Sequence, residues 1–325
     1  MFFSVSLLVL SLLLSVGTQA GELAEPHPGA EAFVERVVVE HGLDADEVRE
    51  VLAEARYQQS IIDAITRPAE ARPWYRYRPI FVTETRIAAG AEFWRANEAE
   101  IRAAAQRFSV SPAIIVAIIG VETNYGMNTG SFRVIDALAT LGFYFPRRAD
   151  FFASELGHFL SLAGEESLPV TEVRGSYAGA MGVGQFMPSS YRAYAIDMDG
   201  SGRRDLWRSL PDALGSIANY LARHGWEADG PIARRVDGDV PVDASAFSLK
   251  PEHRLGQLVD MGVAVEVGDL PPDTPATLVE LETENGAEYW VGFQNFYVIT
   301  RYNRSPLYAM AVYQLAEAIR ERAVR

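Results

Sequence analysis

"AIIVAIIGVETNYG", Ala113 to Gly126, is the stretch on which the reading of this chain turns. Eight of the nine residues from Ala113 to Val121 are apolar, Gly120 being the exception, and a carboxylate, Glu122, follows. Apolar on most sides, the run predicts a buried helix rather than an amphipathic surface one. Ser111 and Pro112 predict its start, as a capping hydroxyl and a proline at the first helical position. Gly126 marks its end. A carboxylate there is buried and sits at the negative end of the helix dipole, and both effects favour the protonated form. A carboxylic acid kept protonated near neutral pH is what general acid catalysis requires. The competing reading is structural: a helix-end glutamate paired with an arginine or bonded to a backbone amide.

Outward from this helix the pattern stays helical. Residues 84–109 precede it as helix, and 67–82, rich in proline and aromatics, read as an extended linker. Before the linker, short helices are broken at Gly42, with apolar spacing near 3.6 from Leu43 to Glu54. After Gly126, residues 136–163 read as two helices divided at Pro146, and 305–322 as an amphipathic helix. Residues 229–291, with runs such as "RRVDGDVPVD" and "EYWVGF", read as a small strand-richer region. The fold class is mainly α (α+β).

Composition narrows the function. The 325 residues are 49% hydrophobic and 22% charged, ample for a sizeable core, and the formal net charge is −14. Nucleic acid is excluded as a partner, because phosphate binding needs a basic surface. With no cysteine, disulfides, thiolate metal sites, a cysteine nucleophile and a lipid-modified cysteine are excluded as well. Residues 2–16, "FFSVSLLVLSLLLSV", followed by "GTQA", predict an export signal over 1–20 and a periplasmic mature protein; an uncleaved anchor is the alternative, since no Lys or Arg precedes the apolar run.

Two further stretches carry chemistry. "GSYAGAMGVGQFMPSSY" (175–191) is loop and turn flanking a short helix. Its glycines permit close backbone approach, and Ser176, Tyr177 and Gln185 offer neutral hydrogen-bonding groups for hydroxyls and amides. Tight helix packing accounts for the glycines equally well. "DMDGSGRRD" opens like a calcium loop: Asp197, Asp199 and Ser201 at positions 1, 3 and 5, Gly202 at 6, and the Arg203 carbonyl at 7. Position 12 is Arg208 instead of glutamate, leaving Asp205 or Asp212 as later ligands. A solvated acidic turn, with Asp212 beside a capping Ser209, is the alternative. The five histidines show no metal-ligand spacing, no nucleophile elbow is present, and "GAMGVG" lacks the strand-and-helix context of a dinucleotide site.

Taken in order, "GVETNYG", "LATLGFYFPRRADFF", "GSYAGAMGVGQFMPSSY", "DLW" with "DALGSIANYLARHGW", and "ITRYNRSPLYAMAV" resemble the lytic murein transglycosylase B family over about 74–315. The resemblance implies a lysozyme-like core over 101–228, a helical domain over 21–100 completed by 305–325, a small β subdomain over 229–292, and a return to the active-site cleft over 293–304. It implies cleavage of peptidoglycan strands between N-acetylmuramic acid and N-acetylglucosamine, leaving 1,6-anhydro ends. Glu122 falls on the family's catalytic glutamate. Arg147, Arg148, Ser176, Gln185, Tyr220, Tyr302 and Asn303 fall on its glycan-contacting positions. Structural calcium falls on Asp197, Asp199, Ser201, Arg203 and Asp212, although the segment from Trp207 to Asp212 is one residue longer than the family pattern. No cofactor is needed for the chemistry. A monomer is expected, with cell-wall synthesis or hydrolysis proteins as candidate partners.

Glycosidases that use water need two carboxylates. Only Glu122 is well placed by motif here, so one acid that later acts as base fits the implied reaction, with Ser176 and Asn303 orienting the substrate's acetamido group. A hydrolytic muramidase and a non-enzymatic peptidoglycan-binding scaffold remain as alternatives.

Overall fold

The computed structural model describes residues 27–67 and 71–323; the expected signal segment lies outside them. The chain forms α1 (Ala30–His41), α2 (Ala45–Ala53), α3 (Gln59–Ile65), α4 (Trp74–Phe81), α5 (Glu84–Ala96), α6 (Glu98–Phe108) and α7 (Pro112–Thr123). Then come β1 (Phe132–Arg133), α8 (Val134–Tyr144), α9 (Ala149–Glu166), β2 (Arg174–Gly175), α10 (Pro188–Tyr194) and α11 (Leu210–Arg223). The remainder is β3 (Ala233–Arg235), β4 (His253–Arg254), α12 (Leu255–Asp260), β5 (Pro275–Thr283), β6 (Gly286–Gly292), α13 (Gln294–Tyr302) and α14 (Pro306–Ala323). The mainly helical α+β class is borne out.

The described residues divide into two compact units. The first holds residues 71–125 and 217–323. Its centre is α7, in which every residue from Ala113 to Thr123 is buried. Helices α5, α6 and α14 pack on it, and α4 and α13 pack on α14. A helix apolar on all sides is stable in water only when surrounded in this way. The strand-rich region is an antiparallel sheet of order β3-β6-β5-β4. Leu278, Val291, Phe293, Leu255 and Leu258 form its separate apolar core.

The second unit holds residues 27–67 and 126–216. Helices α8 and α9 form its antiparallel spine, with α1 and α10 on α9 and α3 on α8. The break expected at Pro146 is a short 3-10 turn, Pro146–Arg148. Phe132 pairs with Gly175 across β1 and β2.

Two local expectations are corrected. The supposed linker contains α4, with Pro79 inside it. Trp74, Tyr77 and Phe81 fall at helical spacing and are all buried, and that burial outweighs the cost of an interior proline, about 3 kcal/mol. Ser111 does precede α7, but its side chain makes no capping hydrogen bond. The proline at N1 alone matches the start signal.

Candidate active site

Glu122 sits in the last turn of α7 and is 5% exposed. The turn beyond it is tight: Asn124, Tyr125 and Gly126 all have left-handed φ. This brings the Tyr125 ring back over the helix, where its hydroxyl donates to the Arg86 carbonyl at 2.8 Å. The ring explains Gly120. A Cβ at that position would stand 2.7 Å from Tyr125 Oη and 2.8 Å from ring carbons. Gly120 therefore interrupts the apolar run so that a tyrosine can lock the turn carrying Glu122.

The glutamate faces phenols. Tyr308, fully buried in the first turn of α14, donates its hydroxyl to Glu122 Oε1 at 2.6 Å. Burial, and after it the charge of Glu122, push the Tyr308 phenol well above its ordinary pKa, so it stays a donor at any working pH. Tyr302, partly buried at the end of α13, is pushed up by the same two causes in the same order, then by Tyr220. Tyr302 meets Tyr220 edge-on at 4.9 Å between centroids. Tyr220 in turn donates to the Arg301 carbonyl at 2.6 Å and stacks on His224 at 4.0 Å. Asn303, buried, ends α13. Four of the residues expected at the site, Glu122, Tyr220, Tyr302 and Asn303, thus belong to the first unit. The stretch "RYNR" spans the end of α13. Tyr308 is the residue that sequence reasoning missed. Its signal was a lone hydroxyl in the otherwise apolar run "LYAMAV".

Among the described residues, Asp136, Glu155 and Asp212 are also buried, and each is committed elsewhere. Asp136 pairs with Arg133 at 2.6 Å and accepts from the Arg56 amide and Gln58. Glu155 accepts from the amide and hydroxyl of Ser189 at the start of α10; burial raises its pKa. Asp212 accepts from the amides of Met198, Asp199 and Asp205. Each of these carboxylates accepts from a backbone amide and so braces a turn, while Glu122 meets the Tyr308 phenol.

In the second unit, the glycine-rich segment forms turns joined by isolated bridges, Gly175 to Met181 and Met181 to Phe186. Close approach is required of it: a Cβ on Gly130, which has φ +96°, would lie 2.0 Å from the Gly175 carbonyl oxygen. Ser176 is buried, and its Oγ accepts from the amides of Ala178 and Ala180 at 3.3 and 3.0 Å. With both lone pairs engaged, its proton is left to donate. Gln185 is 7% exposed with φ +52°. Its amide nitrogen donates to the carbonyls of Thr129 and Gly182, while Oε1 has no protein partner among the described residues. Arg147 is exposed on the 3-10 turn, and the Arg148 guanidinium lies 4.0 Å over the Phe151 ring.

The acidic loop is also in this unit. Carboxylate oxygens of Asp197, Asp199 and Asp212 lie within 4.8 Å of one another. Asp197 accepts from the amides of Gly200, Ser201 and Gly202. Ser209, and then Ser201, hold Asp199 below its ordinary pKa. Hard carboxylate oxygens this close together suit calcium. Asp212 joins the group despite the longer segment, because Ser209 Oγ accepts its amide at 3.3 Å and the first turn of α11 aims its carboxylate back at the loop.

A family model described as a transglycosylase SLT domain matches residues 26–317. The chain belongs to that family. The SLT-domain relatives include the membrane-bound lytic murein transglycosylase B of Escherichia coli, 40% identical over 315 residues, covering 94% of this chain and 86% of the relative. Among solved SLT structures, the soluble lytic transglycosylase SltB1 of Pseudomonas aeruginosa superposes with a TM-score of 0.84 at 44% identity, covering 92% of this chain and 100% of that one. The Escherichia coli lytic transglycosylase Slt35 in complex with calcium has a TM-score of 0.83 at 39% identity, covering 95% and 97%. The resemblance read from the sequence is borne out.

Proposed function

We propose that this protein is a peptidoglycan lytic transglycosylase, cleaving the β-1,4 bond from N-acetylmuramic acid to N-acetylglucosamine and leaving a 1,6-anhydro ring. The observation that carries the reading is the buried Glu122 with the Tyr308 hydroxyl on its Oε1, in a chain of the SLT family. Glu122, as the acid, gives its proton to the glycosidic oxygen as the bond to the anomeric carbon breaks. N-acetylglucosamine leaves with that oxygen as its 4-hydroxyl. The carboxylate then takes the proton of the muramoyl 6-hydroxyl while O6 bonds to the anomeric carbon. Glu122 ends as it began and no water is consumed, so no second carboxylate is required. The substrate's acetamido group supports the positive charge at the anomeric carbon, as in substrate-assisted glycosidases. Tyr308 orients the carboxyl.

Tyr220, Tyr302 and Asn303, and in the other unit Arg147, Arg148, Ser176 and Gln185, are assigned as glycan contacts. Calcium is held by Asp197, Asp199, Ser201 and the Arg203 carbonyl, with Asp212 bracing or completing the set; its role is to rigidify the loop. The protein acts in the periplasm.

Mass spectrometry of the products released from purified sacculi tests the reading. Muropeptides one water lighter than hydrolysis products are expected. Products with reducing ends overturn it in favour of a muramidase, and binding without product overturns it in favour of a scaffold.

A further inference from the structure

A cavity of about 620 Å³ opens in the first unit beside the N-terminal end of α7, within the roughly 300–1,000 Å³ usual for small-ligand sites. Pro112 lies on its wall, ten residues from Glu122 and so roughly 15 Å away along the helix. The cavity is distinct from the carboxylate site.

Two tryptophans line it: Trp94, near the end of α5, and Trp226, just past α11. Both are partly exposed. Among the described residues, neither ring packs against another aromatic and neither indole N–H donates a hydrogen bond. A partly exposed tryptophan in a cavity offers a ligand both an apolar ring and a polar N–H. Between them the rim carries Gln106, Ser109, Ser111 and Asp229, whose side chains likewise make no hydrogen bond among the described residues. The cavity's one cation, Arg102, is ion-paired to Glu98, also on the wall. No free positive charge is left to draw in an anion.

Flat aromatic faces, neutral and acidic acceptors, and no unpaired cation match the surface of a pyranose. Its C–H face stacks on the electron-rich indole face, and its hydroxyls bond to the rim. We propose that this cavity is a second glycan-binding site, taking one or two sugar units of a β-1,4-linked strand. It tethers polymeric substrate while another stretch reacts at Glu122, raising effective concentration by linkage. The inference rests on the functional reading above.

Sacculi and chitotetraose, a soluble β-1,4-linked N-acetylglucosamine tetramer, are the probes. In an E122Q background, which prevents digestion, W94A/W226A is expected to weaken cosedimentation with sacculi by about tenfold or more, as for truncated aromatic anchors. W94F/W226F, which keeps the stacking faces, retains most of the binding. Q106A/D229A, confined to exposed side chains, weakens it with unchanged melting temperature and guards against misfolding of the tryptophan variant. Chitotetraose shifts the indole N–H resonances of Trp94 and Trp226. With Glu122 intact, W94A/W226A cleaves short soluble strands at the parental rate. Unchanged cosedimentation of both alanine variants, with no indole shift, overturns the inference while the parent still releases anhydro products. A parent that releases no product from sacculi or short strands overturns instead the functional reading on which it rests.

Discussion

Glu122 and Asp212 are both buried carboxylates near helix ends, one in each unit, and they are held in opposite ways. Asp212 stands in the first turn of α11, with three backbone amides donating to it. Such donors fix the loop around it. Glu122 stands in the last turn of α7, where the dipole favours no negative charge, and receives a phenol hydroxyl. The first arrangement builds a loop. The second keeps a carboxyl positioned and able to exchange a proton. Burial of an acid is therefore not by itself a sign of catalysis; what its partners hold in place distinguishes these two.

The largest effect that sharpens this contrast is on activity. E122Q preserves shape and hydrogen bonding but removes the exchangeable proton. Release of soluble product from sacculi should fall by about 10² to 10⁴-fold, with near-parental thermal unfolding. Full activity in a folded E122Q breaks the comparison. The reverse is expected of D212A: three amides lose their acceptor, and stability should drop by about 2–4 kcal/mol in denaturant titration. Calcium at 100-fold over its dissociation constant should stabilise the parent by about 2.7 kcal/mol, seen as a rise in melting temperature. D197A should abolish that rise, and a parent indifferent to millimolar calcium leaves the loop a plain acidic turn.

A smaller effect is predicted for Y308F. Loss of a hydroxyl that orients the carboxyl and donates to the carboxylate formed during the reaction, about 1.5 kcal/mol for a hydrogen bond to a charged group, should lower the turnover rate about tenfold with little change in apparent affinity. A rate equal to the parent's removes Tyr308 from the site.

The smallest effect concerns two histidines of the second unit. Burial lowers the pKa of His41, followed by the charge of Arg192. Burial also lowers that of His158, followed by His41 and Arg192. Arg192 Nη1 stands 2.9 Å from His158 Nδ1, which receives it as a neutral ring. Both folded pKa values lie below the ordinary 6.5, so the unfolded chain takes up protons first as pH falls. The stability these rings contribute is full above about pH 6.5 and is lost as pH drops through the lowered values. The melting temperature should decline between pH 7 and pH 5, less steeply in H158Q. Equal slopes would show that other groups set the acid limb.

Much of this was legible along the chain. The apolar run declared a buried helix and put Glu122 at its end. The alternation of Asp197, Asp199 and Ser201 with glycines marked the loop. The linker reading over 67–82 failed because proline content is a local signal, while α4 is held by burial of Trp74, Tyr77 and Phe81. Tyr308 could not be assigned to the site because its partner is 186 residues away, and no local pattern reports which buried hydroxyl meets which acid.

The sequence by itself determined what depends on neighbours in the chain: helix periodicity, the mainly helical class, the absence of thiol chemistry, the acidic loop and the carboxylate at the end of an apolar run. The tertiary structure alone decided which groups meet: Tyr308 on Glu122, Tyr125 over Gly120, Asp212 turned back to its loop, and two tryptophans on one cavity. The first set follows from backbone geometry and side-chain polarity over a few residues. The second depends on packing helices that are distant in sequence, whose side-chain contacts exist only once the core has formed.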